Sequence, residues 1–313
     1  LKTERTGGQV RLCMIGFGEA ARAFVEGWRK AGGDYVVTAY DLKTAADVPD
    51  GTDAMWRAYR DYAVAGCATP GEALARADLV FCLVTADQAE AAARVIGRHV
   101  AKGALFFDGN SCAPMTKRRS AAHLAAAGAR YVDMAIMAPV HPRLHETPLF
   151  LSGPHATAGQ AALVALGMAP KAVAGDVGHA SAIKMVRSIM VKGLEALVAE
   201  TVLAGRLAGV EAAVLDSLEA SYPGFGWRKR SRYNLERMMR HGPRRAAEMD
   251  EVVRMLKDLG LGGGMAEASA GWERRIGALA LGAGADDLDA RADRILSGLG
   301  LLPVDEAEKQ GEG

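Results

Sequence analysis

The first half of the chain alternates short unbroken apolar runs with segments of helical spacing. Residues 10–15 form one such run and close on Gly16, which predicts a first strand. Residues 19–31 carry apolar positions at helical intervals and stop at Gly32-Gly33, a helix C-terminus signal. Residues 35–40 predict a second strand ending at Asp41. A weaker strand is expected at 63–66, followed by strands at 79–84, 104–107 and 131–134. Ala-rich segments at 70–76, 87–99 and 114–127 predict helices, with Pro70 and Pro114 placed for their first turns.

The strands read as continuous apolar runs rather than as alternating ones, as expected where helices cover both faces of a sheet. Strand–helix alternation predicts a doubly wound, mostly parallel sheet. The second half differs. A long helical segment is expected at 177–208, with Lys184, Ser188 and Lys192 four apart on one face. Beyond it the pattern stays helical, with breaks expected at Pro223-Gly224, Gly242-Pro243, Gly262 to Gly264 and Gly282 to Gly284. The predicted fold class is α/β: an N-terminal doubly wound sheet over 8–176, then a long interdomain helix opening an all-helical C-terminal domain over 177–304. A frayed tail is expected at 305–313.

With 313 residues, half of them hydrophobic, the chain has ample material for a core. A formal net charge of +1 argues against a dominant nucleic-acid or membrane partner. No apolar run is long enough to span a bilayer. The four cysteines form no C-x-x-C pair and no zinc-ligand spacing. Cys13 and Cys82 are expected to pack as small hydrophobes. With no signal-peptide pattern, this cysteine usage leads to the expectation of a cytoplasmic protein. His141 and His145 lack helical geometry and a carboxylate partner, so no metal site is expected. The basic stretch at 228–245 reads as a solvated helix face or dimer contact. A nucleic-acid patch, with Tyr233 and Trp227 for stacking, is a second reading, and attraction of an anionic substrate or cofactor is a third.

One motif changes the picture. Gly16-Phe17-Gly18-Glu19-Ala20-Ala21 follows a strand and opens a helix, giving G-x-G-x-x-A. The first glycine makes the tight turn, the second lets backbone approach a pyrophosphate, and Ala21 supplies the small residue for helix–strand packing. The helix N-terminus offers amides and positive dipole charge to phosphates. Asp41 closes the next strand about 20 residues on, where an acid would bind ribose hydroxyls. The sheet is therefore read as a Rossmann-type dinucleotide-binding domain, with Gly16, Phe17, Gly18, Glu19, Ala20 and Asp41 at the cofactor. A carboxylate at Asp41 would repel a 2′-phosphate, which favours NAD over NADP. Lys43 softens that discrimination, so NADP stays possible.

These segments together resemble the β-hydroxyacid dehydrogenases, the 6-phosphogluconate dehydrogenase-like family. The phosphate loop, Val84-Thr85-Ala86, Asp108-Gly109-Asn110-Ser111-Cys112-Ala113-Pro114 and residues 178–184 occur in the family's order. The resemblance covers about residues 8–195. The helical remainder resembles the branch with a C-terminal domain of unknown function. The resemblance implies that Lys184 is the catalytic acid/base. It also implies that Val84 and Thr85 lie at the cofactor, and that Ser111 lies near both nicotinamide and substrate. A homodimer and a small-molecule substrate are implied likewise.

The sequence departs from the family twice. Ser188 stands where an Asn usually orients substrate, and a hydroxyl cannot reproduce both amide functions. Met137, Ala138 and Pro139 stand where Ser-Gly-Gly usually cradles the substrate carboxylate, and Pro139 has no N–H to donate. This points to a bulkier or more apolar substrate than a simple 3-hydroxy acid. Lys192, one further turn along the Lys184 face, is a candidate for an acidic substrate group. The resulting expectation is hydride transfer between a nicotinamide and a carbinol or carbonyl carbon, with Lys184 and Ser188 catalytic. Two alternatives stay open: an imine (C=N) reductase on the same scaffold, against which Lys184 argues, and a non-catalytic NAD(H)-binding sensor.

Overall fold

The computed structural model describes residues 9–44 and 49–302. The tail expected at 305–313 lies outside the described residues. The chain divides into two compact units, Leu1–Met185 and Val186–Gly313.

In the first unit the elements run β1 (Arg11–Ile15), α1 (Glu19–Lys30), β2 (Val36–Tyr40), α2 (Pro49–Asp61), β3 (Ala65–Gly66), α3 (Pro70–Leu74) and β4 (Leu79–Cys82). They continue through α4 (Ala89–Ile96), β5 (Leu105–Asp108), α5 (Pro114–Ala126), β6 (Arg130–Ile136), β7 (Pro148–Ser152), α6 (Ala156–Ala165) and β8 (Ala169–Ala172). The eight strands form one sheet in the order β3-β2-β1-β4-β5-β6-β7-β8. Every pairing is parallel except β6 with β7.

The continuous apolar runs have a direct structural cause. Leu12 and Met14 of β1 enter one core layer with Phe24, Trp28, Phe81 and Phe107. Cys13 and Ile15 enter the opposite layer with Val80, Phe106 and Tyr131. Successive side chains point to opposite faces, and here both faces are covered. Cys13 and Cys82 are wholly buried within these strands.

Four elements go beyond the sequence reading. The pair β7 and β8, joined by α6, extends the sheet on the side of β6. The β8 segment is a half-exposed edge strand without an apolar run, so it carries no hydrophobic signature. Helix α2 is the fourth.

A 29-residue helix, α7 (His179–Leu207), contains the division between the units. The second unit adds α8 (Glu211–Ser221), α9 (Trp227–Asp258), α10 (Gly264–Gly277) and α11 (Leu288–Gly298). Its core joins Val198, Leu203, Leu235, Met238, Ile276 and Ile295. The expected break at Gly242-Pro243 is corrected: both residues lie inside the 32-residue α9. Glycines face each other there. A Cβ on Gly242 would lie 2.4 Å from the Glu273 carbonyl oxygen, and one on Gly277 would lie 2.5 Å from Pro243 Cδ. Close packing of α10 against α9 thus holds the helix through a residue that would otherwise break it. Several residues of the basic stretch are held in ion pairs: Arg232 with Asp286 at 3.2 Å, Arg240 with Glu236 at 3.0 Å, and Arg245 with Glu195 and Glu273.

Candidate functional site

The turn from β1 into α1 is built on Gly16, whose φ of +82° favours glycine and whose Cβ would lie 2.6 Å from the Leu83 carbonyl oxygen. Gly18 is the N-cap of α1 and brings no side-chain cap. A Cβ there would meet nothing within 4 Å among the described residues, which fits close approach of a ligand to the backbone. Glu19 is exposed and Ala20 half-buried at the helix start, and Ala21 is wholly buried against the sheet. These features fit a dinucleotide pyrophosphate. Phe17 needs qualification. Its ring is wholly buried and packs on Tyr59 at 5.1 Å and Tyr62 at 5.8 Å. Its N–H donates to Asp41 Oδ2 at 2.8 Å. Phe17 therefore shapes the loop from below rather than offering a side chain or an amide above it.

Adjacent strands bring the next loops alongside. Ile15 pairs with Cys82, and Cys82 with Asp108, so the loops after β1, β4 and β5 share the carboxyl edge of the sheet. Ligands of open α/β sheets bind at that edge. Val84 N–H donates to Asn110 Oδ1 at 2.7 Å, tying the loop after β4 to the loop after β5. Thr85 is exposed and its hydroxyl bonds Asp87, which holds that carboxyl below its usual range. Met137, Ala138 and Pro139 follow β6 at the same edge. The Met137 N–H is spent on the Pro148 carbonyl at 2.9 Å, and Pro139 is exposed.

Lys184, in the second turn of α7, donates through Nζ to Ser111 Oγ at 2.7 Å. This joins two residues 73 positions apart. Further along the helix, Ser188 and Lys192 are buried, and Lys192 Nζ lies 3.4 Å from Ser188 Oγ. The Lys192 charge is answered by Glu248 at 2.9 Å, a partner that spacing along one helix could not reveal.

Sequence reasoning missed a buried polar group beneath this edge. Lys117 of α5 is wholly buried, as are Asp108 and Asp133. Burial pulls the Lys117 pKa down, but Asp108, Cys112 and Asp133 outweigh it and hold the ammonium above its ordinary range. Burial, reinforced by Asp108, likewise raises the Tyr131 hydroxyl. Burial also pushes the Cys82 thiol to about 12, so it stays protonated. The only local signal lay in the strands, where Asp108 ends the apolar run of β5 and Asp133 interrupts that of β6, whereas Lys117 stands among other basic residues of α5. Among the described residues no group of His, Cys, Asp and Glu is arranged to hold a metal, and no helix is long and apolar enough to cross a membrane.

A family model described as the NAD binding domain of 6-phosphogluconate dehydrogenase matches residues 11–174. The chain belongs to the 6-phosphogluconate dehydrogenase-like family. This is a family of NAD(P)-binding dehydrogenases and reductases, and NAD(P) is the cofactor its sheet binds. Residues 206–276 match a domain of unknown function, DUF1932, as the resemblance of the helical remainder implied. A conserved hypothetical protein from Sinorhizobium meliloti 1021 shares 30% identity over 93% of this chain and 97% of its own, with a TM-score of 0.74. A conserved protein of unknown function, described as structurally similar to 3-hydroxyacid dehydrogenases, shares 28% identity over 85% of this chain and 98% of its own, with a TM-score of 0.67. At the level of fold, Mycobacterium tuberculosis 3-hydroxyisobutyrate dehydrogenase with L-serine aligns at 16% identity over 92% of this chain and 99% of its own, with a TM-score of 0.68. No protein of curated function matches the chain.

Proposed function

We propose that this family member oxidises or reduces a carbinol/carbonyl carbon, with Lys184 as general acid/base. The observation that carries the reading is the 2.7 Å hydrogen bond from Lys184 Nζ to Ser111 Oγ at the carboxyl edge of the sheet. NAD(P) bound at the phosphate loop supplies or accepts the hydride.

In oxidation Lys184 takes the substrate hydroxyl proton at Nζ; in reduction it returns one to the carbonyl oxygen. Ser111 orients that amine by accepting from it and shares the same substrate oxygen. Ser188, one turn further along α7, positions substrate through its hydroxyl. Lys192 is held by Glu248 and offers substrate a directed N–H more than a net charge. Met137, Ala138 and Pro139 supply an apolar wall with no amide pair, which favours a substrate bulkier than a simple 3-hydroxy acid. The Asp41 carboxylate beside the ribose favours NAD over NADP.

The test is cofactor reduction across 3-hydroxy acids, sugar acids and bulkier aryl alcohols, with NAD and NADP in parallel. Turnover that falls about 100- to 10,000-fold in Lys184→Ala supports the reading. Cyclic imine reduction without alcohol turnover overturns it in favour of C=N chemistry. Cofactor binding with no turnover on either class overturns it in favour of a sensor.

A further inference from the structure

On each side of the Lys184–Ser111 contact a carboxylate holds the neighbouring backbone, and one buried lysine joins the two carboxylates. On one side, Lys117 Nζ donates to the Asp108 carbonyl oxygen at 2.6 Å and to Asp108 Oδ1 at 2.8 Å. Asp108 Oδ1 also accepts the Asn110 N–H at 3.0 Å, and Oδ2 accepts the Tyr131 hydroxyl at 2.6 Å. Asn110 precedes Ser111. On the other side, Lys117 Nζ lies 3.5 Å from Asp133 Oδ1. Asp133 accepts the Ser181 hydroxyl at 2.6 Å, together with the Gly178 and Ser181 amides at 3.1 Å each. Ser152 Oγ donates to Asp133 at 2.9 Å and accepts the Ala180 N–H at 2.9 Å. Ser181 is one turn before Lys184.

We infer that Lys117, Asp108 and Asp133 form a buried brace that positions Ser111 and Lys184 for the acid/base step. The inference rests on Lys184 having the role proposed above. Burying three charges is costly, and apolar side chains of similar volume often do as well for stability. Directed hydrogen bonds provide something apolar packing does not: they fix backbone position and orientation. The ammonium and two carboxylates leave one negative charge in excess. The amides that open α7 face Asp133 and offset it. The brace therefore sets where α7 begins and how the loop after β5 turns, which are the two backbones that place the contact.

Lys117→Met keeps an unbranched side chain, one atom shorter, and removes its charge. The expected result is a kcat lower by about 100-fold, the cost of a misplaced group about 1 Å away, with cofactor affinity nearly unchanged. Asp108→Asn/Lys117→Met removes a negative and a positive charge together and is expected to recover part of the loss. A second readout needs no substrate: the pH midpoint of Lys184 acylation by acetic anhydride, followed by mass spectrometry. The brace predicts a shifted midpoint in Lys117→Met and a smaller shift in Ser181→Ala, which loses a single hydroxyl and keeps the fold if Lys117→Met does not. An unchanged midpoint in a folded variant, with only the melting temperature lowered, overturns the brace. If wild-type protein turns nothing over, the proposed reaction fails while the acylation midpoint still judges the brace.

Discussion

Asp41 reaches back from the end of β2 to accept the Phe17 N–H at 2.8 Å, and its other oxygen accepts the Lys43 N–H at 3.0 Å. One carboxylate thus shapes the phosphate loop from below and places a negative charge where the adenosine ribose of the cofactor would lie. Two unit charges about 4 Å apart repel by roughly 4 kcal/mol at an intermediate dielectric. Asp41→Asn should therefore lower the NAD/NADP ratio of kcat/KM by at least about tenfold. It should also cost about 1 kcal/mol of stability, since an amide has a single acceptor oxygen for two backbone donors. Steady-state kinetics with both cofactors and urea denaturation measure the two effects, and an unchanged ratio contradicts the first.

Ser111→Ala separates orientation of Lys184 from its chemistry. The hydroxyl accepts from Nζ at 2.7 Å, while in the proposed mechanism proton transfer itself belongs to the amine. The variant should lose about tenfold in kcat, less than the loss in Lys184→Ala, with the cofactor dissociation constant unchanged. Equal losses in the two variants would give the serine a part in the proton transfer itself, beyond orienting the amine and the substrate oxygen.

The alternation of apolar runs with helical segments made the sheet through β6 legible, because its central strands β1, β4, β5 and β6 are buried on both faces and the pattern records it. The phosphate loop was legible because glycine spacing reports backbone geometry directly. The strand β8 was not, since Ala169, Pro170, Lys171 and Ala172 alternate between exposed and half-buried at the sheet edge. The brace was not legible either. Lys117 looks like any helix lysine, and its partners, Asp108 and Asp133, come from two separate strands. The same limit applies to Lys192, whose partner Glu248 arrives from α9. Gly242-Pro243 failed for a different reason: local propensity predicts a break, and packing against Gly277 overrides it.

That packing gives a paired test in one helix. Gly271 and Gly277 both lie in α10. A Cβ at Gly271 would meet nothing within 4 Å, whereas at Gly277 it would lie 2.5 Å from Pro243 Cδ and 2.8 Å from Gly242 Cα. Gly271→Ala should stabilise by about 0.5–1 kcal/mol, the gain in helix propensity and chain entropy. Gly277→Ala should destabilise by about 1–3 kcal/mol through overpacking. Urea denaturation of both variants against wild type decides it, and effects of the same sign would refute the close approach.

Glu273 predicts a pH dependence with a definite sign. It is wholly buried; Arg245 Nε donates to its Oε1 at 3.1 Å, while Oε2 is a buried oxygen without a hydrogen-bond partner among the described residues. Burial raises its pKa, opposed by Arg245 and Lys192 and aided by Glu248. An acid whose folded pKa lies above its unfolded value binds its proton more tightly when folded. Its contribution to stability is then full below the unfolded value of about 4.3 and is lost as pH rises through the folded value. Glu273→Gln removes that titration. The stability of wild type relative to this variant should fall as pH rises from about 4 into the neutral range, measured by urea denaturation at successive pH values. Parallel curves would mean that the carboxyl titrates alike in both states, and that the ion pair with Arg245 fully offsets its burial.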